Sequence, residues 1–296
     1  IVIQFNFGFF NHEDLSRFIS YSKQSGKSII ITLHSTTNPQ LVDDPANYHL
    51  EYIVDALRIC DRVLVHSIDD LNRLKRLGLV DNVALFPHGV LRRAEPLPAR
   101  SIDHIPVIGS YGFALPHKGL PELIEAVRIL HDQSRPVMLQ MVNAEYPIDL
   151  SANLIAELKA LVDRLGLNDA VTMHTSFLKD EESLGLLTQT DLVVFPYQET
   201  AESASGAVRY GLAVERPVAT TPLGIFSAVE GATFRLGGTA PADIAAGIAA
   251  ALDALTNQSP LATQIAEQAN RWRDQHNYAA VADRLFHMAK ALAPLS

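Results

Sequence analysis

Short apolar, β-branched runs alternate with stretches of helical period along almost the whole chain. The runs fall at 1–5, 28–33, 62–66, 83–86, 106–110, 137–142, 170–173, 191–195, 217–220 and 232–236. Several of them, such as the isoleucine-rich stretch at 28–33, are apolar at consecutive positions rather than at alternate ones. A strand written that way is buried on both faces, as in a parallel sheet covered by helices. Between the runs, 14–25, 46–59, 69–77, 120–131, 153–165 and 206–214 show helical patterns, with apolar residues on one side. Such alternation predicts right-handed βαβ units and doubly wound α/β sheets.

The stretch 91–105 breaks the rhythm. It carries Pro96 and Pro98, with Arg92, Arg93 and Arg100, and has no clean period, so it reads as an interdomain linker. The pattern therefore predicts a first domain over 1–95, a second over 96–275 and a tail over 276–296. The second half holds six strand candidates and the first only four. A doubly wound domain opens on a strand and a Gly-rich turn, which the first half does not show. The first domain is accordingly expected to be incomplete, with Ile1 already inside a strand. The tail predicts an amphipathic helix over 276–292, with Tyr278, Val281, Ala282, Leu285, Met288, Ala289 and Leu292 on one face.

Bulk properties narrow the functions. The length of 296 residues suits two domains, and 48% hydrophobic with 19% charged residues suits full cores. A formal net charge of -9 argues against a nucleic-acid partner. The single cysteine, Cys60, excludes a disulfide within the chain and points to a reducing compartment. A packed thiol is the expected reading of Cys60, a reactive one the alternative. No apolar run reaches the ~20 residues of a membrane helix and no signal-peptide pattern is present, so the expected location is cytoplasmic.

Many α/β enzyme signatures are missing from the sequence. There is no G-x-x-x-x-G-K-[ST] loop, no G-x-G-x-x-G after a strand, no H-E-x-x-H, no paired cysteines and no G-x-S-x-G. No D-x-D pair is placed to hold a divalent cation on a sugar diphosphate, so the expected metal complement is none.

Three constellations remain. Gly112 to Gly119 (GFALPHKG) follows the run 106–110 and precedes a helix beginning near Leu120. Lys118 there would add a charge to the positive end of the helix, which suits a phosphate; the alternative is a solvated loop lysine. The second constellation runs from Phe195 to Gly206 (FPYQETAESASG). Its small residues Ser203, Ala204, Ser205 and Gly206 let backbone N–H groups approach a ligand closely, and Glu202 is placed to accept from sugar hydroxyls. Alternatively, Ser203 or Ser205 is an N-cap and Glu202 a helix-dipole acid. The third is His34, at the end of the run 28–33, either facing a cleft or buried and hydrogen-bonded. His88, in Phe86-Pro-His-Gly-Val90, reads as structural or cleft-lining.

Taken together, these pieces resemble the family 4 retaining glycosyltransferases, of the GT-B type. Four stretches carry the resemblance: Thr32-Leu-His34, Phe86 to Val90, Tyr111 to Gly119, and the glutamate loop through Arg216-Pro-Val218. The resemblance implies an α/β, GT-B-like fold: two doubly wound, Rossmann-like domains facing a cleft, the first incomplete. It implies that Lys118 holds the donor diphosphate, that Glu202 contacts the sugar ring, and that Ser203, Ala204, Ser205 and Gly206 offer backbone amides. His34 then matches a histidine near the reacting centre, Ser176 and Phe177 border the nucleotide base, and the tail helix crosses back to the first domain. Two departures stand out. The family's second glutamate falls at Tyr210, and an arginine that many members carry falls at Gly112, for which Arg209 is the candidate substitute.

The implied activity is transfer of a hexose from a UDP- or GDP-sugar to a hydroxyl on a carbohydrate or lipid-linked acceptor, with retention and without a metal or other cofactor. Surface-polysaccharide biosynthesis is the family-level setting. Peripheral membrane contact is common in such enzymes, though no basic amphipathic helix supports it here. Two alternatives are a sugar-nucleotide epimerase and a non-catalytic nucleotide-sugar-binding or assembly module of a larger protein.

Overall fold

The computed structural model describes residues 1–37, 49–92, 103–200, 202 and 204–292. The chain divides into two compact units. One comprises Ile1–Gly89, Ala201–Ser205 and Tyr278–Ser296, the other Val90–Thr200 and Gly206–Asn277.

The first unit is built on four parallel strands, β1 (Val2–Phe5), β2 (Ile30–Leu33), β3 (Arg62–Val65) and β4 (Val83–Leu85), in the order β1-β2-β3-β4. The helices are α1 (His12–Gln24), α2 (Val54–Ile59) and α3 (Ile68–Arg76). All four residues of β2 are buried, and the period of two explains how. Ile31, Leu33, Val63 and Val65 enter one core with Leu15 and Ile19 of α1 and Leu57 of α2. Ile30 and Leu64 enter another on the opposite face. The helix expected over 46–59 is shorter than its pattern suggested: α2 is preceded by a 3-10 turn at Leu50–Ile53, and 46–48 lie outside the described residues. Cys60 ends α2 as a packed thiol, its Sγ 3.3 Å from the Ala56 carbonyl oxygen.

The second unit carries β5 (Val107–Phe113), β6 (Met138–Ala144), β7 (Val171–His174), β8 (Leu192–Phe195), β9 (Val218–Thr220) and β10 (Phe234–Arg235). All pairings are parallel, in the order β10-β9-β8-β5-β6-β7. Helices α4 (Leu120–Asp132), α5 (Asp149–Arg164) and α8 (Pro241–Thr256) pack over one face. The other face is covered by α7 (Ala207–Ala213), by part of α6 (Asp180–Leu187), by the 3-10 segment Gly224–Ala232 and by Ala269 and Trp272 of α9 (Pro260–His276). Counted from its own first strand, this sheet has the order 3-2-1-4-5-6, and the chain reverses direction between β5 and β8. In open α/β sheets the loops at such a reversal form the crevice where ligands bind.

The tail is two helices rather than one. The expected helix over 276–292 starts with the last residue of α9, breaks at Asn277 and resumes as α10 (Tyr278–Leu292), which belongs to the first unit. Val281, Leu285, Met288, Ala289 and Leu292 pack on Ile30, Leu64 and Phe86, covering the second face of the first sheet. Tyr278 and Ala282, expected on that face, are exposed instead. No residue of α10 is fully buried, so each contact contributes less than the ~1.5–3 kcal/mol of a fully buried apolar side chain. The Ser28 hydroxyl donates to the Leu292 carbonyl at 2.6 Å, satisfying one of the orphan acceptors of the last turn. Among the described residues, no helix is long and apolar enough to cross a membrane.

Candidate functional site

In the second unit the loops after β5 and β8 lie at the reversal point and are bolted together. The first loop makes a 3-10 turn over Pro116–Lys118 and passes into α4 through Gly119, whose φ of 67° is left-handed. A Cβ at Gly119 would come within 1.9 Å of the Pro196 carbonyl oxygen of the second loop, so only glycine permits this approach. The Gln198 N–H donates to the His117 carbonyl at 2.9 Å. The Gln198 side-chain amide reaches the Thr239 carbonyl at 3.1 Å, and the Thr221 hydroxyl donates to the Tyr197 carbonyl at 2.9 Å.

Lys118 sits inside this junction. It is only 8% exposed, which rules out the solvated loop lysine, and its Nζ lies 4.2 Å from the centre of the Tyr197 ring. A desolvated ammonium over an aromatic face is held by the ring quadrupole, worth up to ~2 kcal/mol. The charge is thus drawn in to the reversal point, beside the start of α4. Helix α4 has no side-chain N-cap bond, so its first-turn amides carry the positive end of the dipole without a capping side chain.

Gly112, near the end of β5, has a φ of 130°, and a Cβ there would stand 3.3 Å from that of Ala207. The fold therefore brings Gly112 against the start of α7. Arg209 is not a solvated helix arginine: it is 5% exposed, with its guanidinium 5.0 Å from the centre of the Trp272 ring. Tyr210 stacks on Tyr111 with centroids 4.5 Å apart, and its hydroxyl donates to Asp180 at 2.9 Å. Burial and then the Asp180 carboxylate push that phenol above its ordinary pKa. Ser176 is exposed, and Phe177, 79% exposed, stacks on Phe113 at 6.0 Å. Tyr146 meets Phe113 edge-on at 5.1 Å. An aromatic surface thus lies just beyond the ends of β5, β6 and β7.

The small-residue loop departs from expectation at its cap. Helix α7 starts at Ala207 with Gly206 as N-cap and no side-chain cap bond, so Ser205 is not the cap, and Ser203 lies outside the described residues. Ser205 is buried, Ala204 half-buried and Glu202 exposed. These three belong to the first unit, Gly206 to the second.

His34, in the first unit, is not alone. It stands one residue past β2, and His66 stands one residue past β3; the register pairs Leu33 with Val65, so the two imidazoles emerge side by side. His34 Nδ1 lies 3.2 Å from His66 Nε2. The His88 ring stacks on His66 at 3.5 Å and lies 5.6 Å from His34. The outer nitrogens are engaged: His34 Nε2 with Gln4 Oε1 at 2.8 Å, and His66 Nδ1 with the Phe86 carbonyl at 2.9 Å. Burial lowers the pKa of His34, favouring neutral imidazole. The loop after β2 is tied to α3, since the Thr36 hydroxyl donates to buried Asp70 at 2.5 Å. Asp70 in turn forms the capping box with Ser67.

Tyr197, Gln198 and His66 were not among the residues expected from sequence to form the site. Tyr197 looks like one more apolar residue after a strand. His66 could have been found, because His34 and His66 occupy the same position at the ends of two neighbouring runs.

No protein-family model and no curated protein sequence matches the chain. Solved structures do. The chain is similar to HepE of Anabaena, solved with UDP, at a TM-score of 0.76 and 16% identity, over 98% of this chain and 78% of that one. It is also similar to a UDP-forming α,α-trehalose-phosphate synthase from Burkholderia xenovorans at a TM-score of 0.74 and 13% identity, over 100% and 74% of the two chains. Sucrose-phosphate synthase from Thermosynechococcus elongatus aligns at a TM-score of 0.70 and 18% identity, over 95% and 78%. At these identities the likeness carries the fold alone. The fold is that of the GT-B glycosyltransferases, with two α/β units each built on a parallel sheet.

Proposed function

We propose that this chain transfers a hexose from a nucleoside diphosphate sugar, with UDP the first nucleotide to test, to a hydroxyl of a carbohydrate or lipid-linked acceptor. The observation that carries the reading is Lys118, buried over Tyr197 at the reversal point of the second sheet. That HepE was solved with UDP and with UDP-glucose supports the choice of base.

In this reading the bond between the anomeric carbon and the diphosphate oxygen breaks, the acceptor hydroxyl oxygen bonds to that carbon on the same face and gives its proton to the leaving diphosphate, and the nucleoside diphosphate leaves. Lys118 and the first-turn amides of α4 stabilise the developing charge on the leaving diphosphate, in place of a metal. The family resemblance assigns Glu202 to sugar hydroxyls, the small-residue loop ending at Gly206 to backbone contacts with the donor, Phe177 to the base and His34 to the reacting centre, and these are the roles to test by substitution. One observation favours a second reading, a nucleotide-sugar-binding module without turnover: the Tyr210 hydroxyl is committed to Asp180 where the family resemblance expects a second carboxylate.

Thermal unfolding with UDP, GDP and ADP tests the proposal. A ligand bound only by the native state at a hundredfold excess over Kd adds about 2.7 kcal/mol of stability. Lys118→Ala should weaken the binding by about tenfold to 150-fold, the loss of one charged hydrogen bond of ~1.5–3 kcal/mol. Equal binding or transfer by Lys118→Ala refutes the assignment. Binding by the wild type with no sugar transferred to any acceptor, and no epimer formed, selects the second reading.

A further inference from the structure

Two stacked aromatic pairs follow one another at the end of β5. The first is Tyr111 on Tyr210, with ring centres 4.5 Å apart. The second, two residues further along the strand, is Phe113 on Phe177, at 6.0 Å. The phenylalanine pair is wholly apolar. The tyrosine pair carries a polar group, because the Tyr210 hydroxyl donates to Asp180 Oδ1 at 2.9 Å. Phe177 precedes Asp180 by three residues, so their Cα atoms are no more than about 11 Å apart. All of these residues, with Lys118, belong to the second unit.

The Asp180 carboxylate is oriented without being buried. Asp180 is exposed, and among the described residues its side chain accepts a hydrogen bond from Tyr210 alone. One phenol occupies one of the roughly four lone-pair sites of a carboxylate. Tyr210 is half-buried and fixed by its stack on Tyr111, so it holds in one direction an aspartate that would otherwise turn in solvent. Burial raises the pKa of Tyr111, and hydrogen bonds with Tyr210 and Ser183 oppose the rise. Ser183 lies one turn beyond Asp180 on α6, so the stack is tied to the helix that carries the carboxylate. A helix-dipole role would need the charge of Asp180 but no fixed direction, and Glu181 and Glu182 already supply charge in the same turn.

The next step rests on the donor reading above, with the diphosphate at Lys118 and the base at Phe113 and Phe177. In a nucleotide the pentose is bonded directly to the base, and its vicinal hydroxyls are paired O–H donors. An oriented carboxylate beside the base platform has acceptors left for both. We infer that Asp180 accepts the ribose hydroxyls of the donor nucleotide and makes the chain selective for ribonucleotides. Tyr210 acts through Asp180, as a positioning residue.

The test measures calorimetric affinities of the full chain for UDP and for 2′,3′-dideoxy-UDP, which differ only in those hydroxyls. The wild type should prefer UDP by at least about tenfold, the loss of one hydrogen bond to a charged group. Asp180→Ala, at an exposed position, should weaken UDP and leave dideoxy-UDP unchanged, bringing the two within about threefold of each other. Tyr210→Phe keeps the stack and removes only the hydroxyl, and should lower the preference by about threefold or more. A variant that merely loosens the fold weakens both nucleotides alike and keeps their ratio. Equal binding of the two by the wild type, or a preference that survives Asp180→Ala, overturns the assignment of Asp180 while the donor reading stands. A preference untouched by Tyr210→Phe overturns the orienting role. A wild type that binds neither nucleotide overturns the donor reading and this inference with it.

Discussion

Gly119→Ala is the sharpest single test of how the second unit builds its site. Gly119 is left-handed, at φ 67°, and an alanine there costs roughly 1–2 kcal/mol for the conformation alone. The larger consequence is steric. The new Cβ would stand 1.9 Å from the Pro196 carbonyl oxygen and 2.8 Å from its carbon. Backbone cannot yield as the tip of a side chain does, so the loops after β5 and β8 must separate. Overpacking of this kind typically costs about 1–3 kcal/mol. The bond from Gln198 N–H to the His117 carbonyl, 2.9 Å long, lies in the same junction and should stretch or break. The expected loss is therefore about 2–5 kcal/mol, the sum of these terms, read from the urea midpoint of the transition that reports this unit. UDP affinity should fall with it, because Lys118 is held over Tyr197 by the same junction. Gly119→Asn separates the causes. Asparagine tolerates the left-handed region, so it removes most of the conformational cost but keeps the collision. Gly119→Asn should therefore remain clearly destabilised. A Gly119→Ala protein with an unshifted midpoint and unchanged nucleotide affinity would show that the two loops are not locked together as described.

Other perturbations test particular balances. Glu122, in the first turn of α4, has Oε2 buried with no hydrogen-bond partner among the described residues, and burial, then the neighbouring Glu125, raises its pKa. A raised carboxyl pKa makes the folded state hold its proton more tightly, so wild-type stability falls as the pH climbs through that range. Glu122→Gln should therefore be more stable at pH 7, by a few tenths to about 1 kcal/mol, with the difference vanishing below about pH 4, where the unfolded glutamate is itself protonated. Asp61 behaves oppositely. Burial alone would raise its pKa, but the Lys23 ammonium at 2.6 Å and the Ile29 N–H at 2.7 Å outweigh it and bring it below the ordinary value. Its contribution is present above about pH 4 and lost as the pH falls through the depressed value. Asp61→Ala should cost about 1–3 kcal/mol at neutral pH, because the Ile29 N–H loses its acceptor. Cys60, pushed up to about 12 by burial and then by the neighbouring Asp61, stays a thiol at neutral pH. Alkylation of the native protein should therefore proceed only as fast as the first unit opens, and rapid labelling without unfolding would contradict the packing described.

The strands were legible from sequence because of the kind of sheet they form. A strand buried on both faces must be apolar at consecutive positions, and each of the ten runs overlaps one of the ten strands among the described residues, β5, β6 and β7 running one to three residues past theirs. The division into a sheet of four and a sheet of six followed from the same runs. Lys118 was singled out because a lysine between a strand end and a helix start is a local pattern.

Tertiary structure decided what local pattern cannot carry. The strand order reverses between β5 and β8, whose segments are far apart in the sequence, and the reversal sets the GFALPHKG loop against the loop that carries Tyr197. His66 joins His34 through the register of two strands, and the Tyr210 phenol finds Asp180 on another helix. Ala282 fits the apolar stripe of α10 by period, yet is exposed, because the contact of α10 with Ile30, Leu64 and Phe86 is made by Val281, Leu285, Met288, Ala289 and Leu292. Burial and period are properties of a residue and its near neighbours, so the chain states them itself. A site made where distant loops converge depends on which strands pair, and that is decided only when the whole sheet closes over a common core.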